Sequence, residues 1–101
     1  MPRKDTDGAL DPSLIAAFGA TIRERREQLG MTQAELARRA GLARNTVRAV
    51  EGGESNLSLD VIDRVARPLG MNPSLLLRKA ELRTSQWAKR FWRRSADSPL
   101  I

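Results

Sequence analysis

The fold is decided by residues 33–50, which read QAELARRAGLARNTVRAV. The first half of this stretch predicts a short helix with Leu36, Ala37 and Ala40 on its inner face. Ala37 lies where a second helix must cross the first closely, and only a small side chain allows that approach. Gly41 follows at once and can take the left-handed conformation that the chain needs to reverse direction.

The ends of both short helices are marked in the sequence. The first helix opens with TQAE at residues 32–35, a capping box in which the threonine hydroxyl and the glutamate carboxylate satisfy two amide groups. The second helix is predicted over about residues 44–51, with Val47 and Val50 inward, and the Gly-Gly pair at 52–53 ends it. This is the spacing of a helix-turn-helix, a motif whose second helix enters the major groove of DNA.

A longer helix is predicted before this motif. Asp11 is a suitable N-cap, Pro12 fits the first helical position, and Gly30 ends the helix. Arg26 lies on the apolar stripe of this helix, which is an unusual place for a charge. The stripe consists of Ile15, Phe18, Ile22 and Leu29.

Two more helices are predicted after the motif, and no stretch shows the strict alternation of a strand. One helix begins near Ser58 and must end or kink at Pro68, because proline lacks the N–H that would continue it. Asn72 and Pro73 cap the other. The expected inner residues are Leu59, Ile62, Val65 and Ala66 in one, and Leu75, Leu76 and Leu77 in the other. The predicted fold class is therefore all-α, with five helices around one small core.

The composition excludes several kinds of function. The chain of 101 residues has neither cysteine nor histidine, which excludes disulfides, thiolate or histidine metal sites and nucleophiles of the Cys or His type. No isolated carboxylate constellation is visible, so neither an enzyme, a metal nor a cofactor is expected. The absence of a membrane-spanning run and of a signal-peptide core predicts a cytoplasmic protein without a membrane partner.

The charge is positive and is concentrated at one end. Lys and Arg number 18 against 12 Asp and Glu, a net charge of +6, and residues 82–101 carry +4 of it. Such a balance favours nucleic acid as the partner. The predicted organisation is a flexible arm at 1–11, a DNA-binding domain at 12–82, and a basic, aromatic helical extension at 83–101 whose end is disordered.

With these features in place, the sequence resembles the lambda-repressor-like (Cro/repressor, XRE-type) helix-turn-helix family. The resemblance covers about residues 16–80 and involves many positions at the family's spacing. The matching residues are 22–26, 29–37, 40–42, 45–47, 51, 53–56, 58–59 and 69–71. The family includes phage repressors, plasmid regulators, restriction–modification controller proteins and some antitoxins.

The resemblance implies a regulator of transcription that binds specific double-stranded DNA. The expected form is a repressor that binds a palindromic operator as a homodimer. The rival hypothesis is an antitoxin or protein-interaction module whose C-terminal segment binds a partner protein, with DNA binding for autoregulation. An adjacent toxin gene would favour the rival.

The resemblance also assigns residues. Gln33 matches a glutamine that grips a DNA phosphate and packs near the recognition helix. Arg26 and Glu51 match a partly buried salt bridge between the first and third helices, which would explain the charge on the apolar stripe. Ala43 replaces the usual Ser or Thr cap of the recognition helix, and it could instead lie against a thymine methyl group. Asn56 could simply cap its turn rather than contact DNA. The predicted DNA contacts are Thr32, Gln33, Ala43, Arg44, Asn45, Thr46, Arg48, Ser55 and Asn56.

The C-terminal segment leaves several interpretations open. Trp87, Phe91 and Trp92 are three of the four aromatic residues in the chain. They could pack on the domain's own core, form a dimer interface, or lie on a membrane surface as a basic amphipathic helix. The segment could also be disordered, or follow the DNA backbone with its cations.

Overall fold

The computed structural model describes residues 12–54 and 57–84, and this part of the chain contains five α-helices and no strand. The helices are α1 (Pro12–Gln28), α2 (Gln33–Ala40), α3 (Arg44–Glu51), α4 (Leu59–Ala66) and α5 (Pro73–Arg83). The all-α fold class with five helices is thereby confirmed. The predictions on the arm at 1–11, on Ser55 and Asn56, and on Trp87, Phe91 and Trp92 lie outside the described residues.

One core joins all five helices. α1 packs against α3 and α5, while α2 packs against α3 and α4. Each of the largest side chains in this core contributes about 1.5–3 kcal/mol by its burial. These fully buried side chains are Phe18, Ile22, Leu36, Val47, Val65, Leu69 and Leu76.

Three leucines predicted to face the core are exposed instead. Leu29 follows the end of α1, so the helical phase of the stripe no longer applies to it. Leu59 is the first residue of α4 and is 81% exposed, because the helix meets the core only beyond its first residue, through the partly buried Val61 and the buried Ile62. Leu75 lies beside the face of α5 that contains the buried Leu76.

The turns follow the predicted chemistry in most places. Gly41 has φ +71°, and its N–H caps the end of α2. α4 ends at Ala66, two residues before Pro68, as predicted. Asn72 occupies the N-cap position of α5, but its side chain makes no capping hydrogen bond. Of the two predicted capping residues, only Pro73, at the first helical position, acts as predicted.

Gly19 allows the closest approach between helices. A Cβ added at this position would lie 2.3 Å from the carbonyl oxygen of Val50 and 2.8 Å from that of Glu51. Both oxygens belong to the backbone at the end of α3, which cannot move away as a flexible side chain could. The absence of a side chain at Gly19 therefore determines how closely α1 and α3 pack.

We expect Gly19→Ala to lower the free energy of unfolding by about 1–3 kcal/mol or more, because the added methyl group overlaps backbone atoms of α3. Urea denaturation followed by circular dichroism measures this. Gly52→Ala is the milder control: its φ is −84°, and an added Cβ would lie 3.1 Å from the flexible Glu54 carboxylate and 3.3 Å from the Arg48 carbonyl oxygen, against 2.3 Å at Gly19. Equal losses in the two variants would contradict the tight contact between α1 and α3.

Candidate nucleic-acid interface

The start of α2 is fixed by the capping box that the sequence predicts. The Thr32 hydroxyl accepts a hydrogen bond from the Glu35 N–H at 3.0 Å, and the Glu35 carboxylate accepts one from the Thr32 N–H at 2.9 Å. The Thr32 backbone hydrogen bond, with smaller contributions from the charges of Arg39 and Arg38, lowers the pKa of Glu35. The exposed Thr32 is thus held at a helix N-terminus, where the backbone favours anions.

The start of α3 has no such side-chain cap. Ala43 occupies its N-cap position, and its side chain makes no hydrogen bond, as its methyl group requires. Ala43, Arg44 and Asn45 are all exposed at this end of the helix. The first turn of α3 therefore presents backbone N–H groups beside a cation and an amide side chain.

The outer face of α3 carries three of the predicted contacts together. Arg44, Asn45 and Arg48 are exposed, whereas Val47 and Val50 on the opposite face are buried. Positions three and four residues apart share one face of a helix, so Arg48 lies beside both Arg44 and Asn45. Thr46 is half-buried and lies at the edge of this face.

The exposed arginines of the motif differ from most of the other exposed arginines that the structure describes. Within the described residues, the four arginines of α2 and α3 form no ion pair: Arg38, Arg39, Arg44 and Arg48. Four exposed arginines elsewhere are each paired with a carboxylate: Arg23 with Glu27, Arg64 with Asp60, Arg67 with Asp63, and Arg83 with Glu24. The positive charge on α2 and α3 is thus not neutralised by an ion pair with any carboxylate of the described residues. Sequence analysis did not single out Arg38 and Arg39, although both lie off the apolar face of α2.

A buried ion pair connects α1 to the end of α3. Arg26 Nε donates to Glu51 Oε2 at 2.7 Å, and a terminal guanidinium nitrogen of Arg26 donates to Glu51 Oε1 at 3.0 Å. The two side chains are only 10% and 3% exposed. This hydrogen bond to Glu51 is the main reason why the pKa of Arg26 is raised. The charge that stood out on the apolar stripe therefore has the predicted partner.

The same ion pair reaches both helices of the motif. The remaining terminal nitrogen of Arg26 donates to the carbonyl oxygen of Met31 at 2.7 Å, directly before the N-cap of α2. Gln33, the first residue of α2, donates from Nε2 to Glu51 Oε1 at 3.0 Å. The sequence predicts Gln33 as a phosphate contact, and this partner inside the protein was missed. No pattern signals it, because it depends on how α2 packs against α3.

Other kinds of site are not found in the described residues. No group of three or more His, Cys, Asp or Glu side chains could hold a metal ion there. None of the described helices is long and apolar enough to cross a membrane. Every buried side-chain nitrogen or oxygen in this part of the chain has a hydrogen-bond partner.

Breaking the buried ion pair on one side should be costly. Glu51→Leu leaves the Arg26 charge buried without its carboxylate, and we expect a loss of about 3–5 kcal/mol of unfolding free energy. Adding Arg26→Met removes that charge and should restore most of the stability, since apolar residues of similar size often replace buried ion pairs without loss. Urea denaturation of both variants measures this. Glu27→Leu, which breaks an exposed pair with Arg23, is the control and should cost less than about 1 kcal/mol. Two equal losses at Glu51 and Glu27 would contradict the role of burial.

The comparisons with known proteins agree with this geometry. A helix-turn-helix family model matches residues 22–76, more than half of the chain. An uncharacterized HTH-type transcriptional regulator of Methanothermobacter thermautotrophicus is 51% identical over 49 residues, which are 48% of this chain and 71% of that protein. Control protein C.BamHI of Bacillus amyloliquefaciens is 36% identical over 61 residues, 59% of this chain and 75% of that protein.

A solved structure shows the same similarity. The restriction-modification controller protein C.AhdI from Aeromonas hydrophila superposes with a TM-score of 0.60 at 39% identity, over 61% of this chain and 94% of that chain. The residues that the family model matches, 22–76, contain the complete helix-turn-helix. The chain belongs to the XRE-type helix-turn-helix family, a family of DNA-binding transcriptional regulators and not of enzymes.

Proposed function

We propose that this regulator is a repressor that binds a palindromic operator as a homodimer, with α3 as its recognition helix. The observation that carries the proposal is the outer face of α3. It presents Arg44, Asn45 and Arg48 to solvent, and neither arginine is engaged by a carboxylate of the described residues. A surface of this kind matches the edges of base pairs in the major groove.

In this proposal, the start of α2 sets the register on the DNA backbone. Thr32 and Gln33 lie at a helix N-terminus, where amide groups and the helix dipole attract a phosphate. Ser55 and Asn56, which follow α3 in the sequence, supply further phosphate contacts. Such contacts position the protein but carry no sequence information.

Base recognition is assigned to the start of α3. Arginine can donate to guanine O6 and N7 together, and asparagine can pair with adenine N6 and N7, each worth about 1–3 kcal/mol of discrimination. Arg44, Asn45 and Arg48 have these roles, and Thr46 lies beside them. The exposed Ala43 methyl group is suited to contact with a thymine methyl.

Dimerisation would place two recognition helices about 34 Å apart, one turn of DNA, on the two halves of an inverted repeat. We assign the dimer contact to Trp87, Phe91 and Trp92, because aromatic residues beside arginine are typical of protein interfaces. A dimer on a promoter would repress by excluding the polymerase.

Selection of bound duplexes from a random pool at about 150 mM salt tests this proposal, since that salt suppresses contacts that read only phosphates. We expect an enriched inverted repeat with half-site centres about one helical turn apart. Equal, salt-sensitive binding to every sequence would contradict it and would favour a protein partner for the C-terminal segment.

A promoter containing the selected repeat, fused to a reporter, should be silenced by the protein; activation would contradict repression.

Arg44→Ala should weaken binding to the selected duplex by about tenfold or more, because one bidentate base contact is lost. Its thermal stability should stay within about 0.5 kcal/mol of the wild type, since the side chain is exposed. Titration of a labelled duplex and thermal denaturation measure the two effects. Arg78→Ala on α5 is the control of equal charge, because Arg78 is also exposed. Equal losses of affinity in both variants would show that only net charge matters.

A further inference from the structure

The Gln33 side chain is held from inside the protein, at the place where the proposed function requires it to meet DNA. We infer that Glu51, itself fixed by Arg26, is a positioning residue that sets the orientation of the Gln33 amide for phosphate binding. This inference rests on the proposed function. It adds a specific task to an ion pair that otherwise serves only the fold.

The chemistry of the contact selects one orientation of the amide. The Gln33 side chain ends in a carbonyl oxygen and an NH2 group of nearly equal size, and a free side chain can present either one to a ligand. An ionised carboxylate only accepts hydrogen bonds, so Glu51 Oε1 takes the Gln33 NH2 side, at 3.0 Å. The second N–H on the same nitrogen has no acceptor among the described residues. A phosphate, which also only accepts, requires a donor there.

Arg26 keeps the Glu51 carboxylate in position. It donates to both carboxylate oxygens, at 2.7 and 3.0 Å, so the plane of the carboxylate is fixed by two bonds. The Glu51 side chain is 3% exposed, which leaves water little access to compete for Oε1. The third Arg26 bond, to the Met31 carbonyl oxygen at 2.7 Å, holds the backbone one residue before the N-cap of α2. Arg26 thus orients both the acceptor and the helix that carries the donor.

The benefit for binding is preorganisation. Glutamine has several rotatable bonds, and ordering such a side chain on binding costs free energy. A Gln33 amide that is already held in the donor orientation meets the phosphate without that cost. Loss of the hold should weaken DNA binding about three- to tenfold, the usual scale of one hydrogen bond.

A cycle of variants on the selected duplex tests the inference. The apolar replacement Arg26→Met/Glu51→Leu removes the carboxylate that restrains the Gln33 amide. Gln33→Ala removes the amide itself, and the third variant combines these changes. Each is titrated well below its melting temperature. We expect the apolar replacement to weaken binding about three- to tenfold when Gln33 is present and to have no effect in the Gln33→Ala background. A loss that persists without Gln33 would overturn the inference, because the pair would then act through the backbone alone.

Gln28→Ala is the matched control. Gln28 is exposed at the end of α1, and its replacement should leave binding unchanged. If Gln33→Ala also leaves binding unchanged while Arg44→Ala weakens it, the inference fails and the proposed function stands. If no duplex is selected at all, the proposed function fails.

A measurement on the free wild-type protein tests, without any variant, whether Glu51 restrains the Gln33 amide. Nitrogen-15 relaxation of side-chain amides should show Gln33 as motionally restricted, and Gln28 as mobile. A Gln33 amide as mobile as that of Gln28 would overturn the inference, whatever the DNA titrations give.

Discussion

The arrangement of the three helices nearest the interface depends on the guanidinium group of Arg26. It pairs with Glu51 at the end of α3 and donates to the Met31 carbonyl oxygen before α2. One group on α1 therefore orients both helices of the motif. Arginine stays protonated at all physiological pH values, so the Arg26 side chain keeps its charge and its donor groups in that range.

A close backbone contact on the same helix acts together with the ion pair. Gly19 lies seven residues, about two turns, before Arg26, so both face α3. Without a side chain at Gly19, the backbone of α1 comes close to the carbonyl oxygens of Val50 and Glu51. The end of α3 is thus held through its backbone by close packing and through its side chain by an ion pair. Apolar packing alone is not directional and would leave the angle between the helices less defined.

Local signals in the sequence predicted most of the fold. The capping box at Thr32 and Glu35, the left-handed Gly41 and the helix end before Pro68 each depend on neighbouring residues, and all are present. Leu59 was placed wrongly because a helical stripe does not show where along its length a helix meets the core. Gly19 gave no signal, since a glycine inside a helix shows its role only when another helix crosses it.

The candidate site was predictable to a similar degree. The exposure of Arg44, Asn45 and Arg48 follows from the buried phase of Val47 and Val50 on the same short helix. The Arg26–Glu51 pair was predicted from the family resemblance and an unusual charge, not from spacing, because the two residues lie 25 positions apart. The resemblance placed Gln33 near the recognition helix, but it did not give the bond to Glu51, which depends on the packing of α2 against α3.

In the proposed function, these two groups of residues divide stability from recognition. Arg26, Glu51 and Gly19 lie on the inner side of the motif, and a change at any of them alters how α3 is held. Arg44, Asn45 and Arg48 lie on the outer side and engage no described carboxylate, so other side chains there cost the fold little. If the proposed function holds, such a domain can acquire a new DNA sequence preference with little loss of stability. Gln33 belongs to both groups, because one N–H of its amide is bonded to Glu51 while the rest of the residue is half-exposed at the start of α2. A change at Gln33 should therefore affect binding to many sequences alike, whereas a change at Arg44 should affect the choice among them.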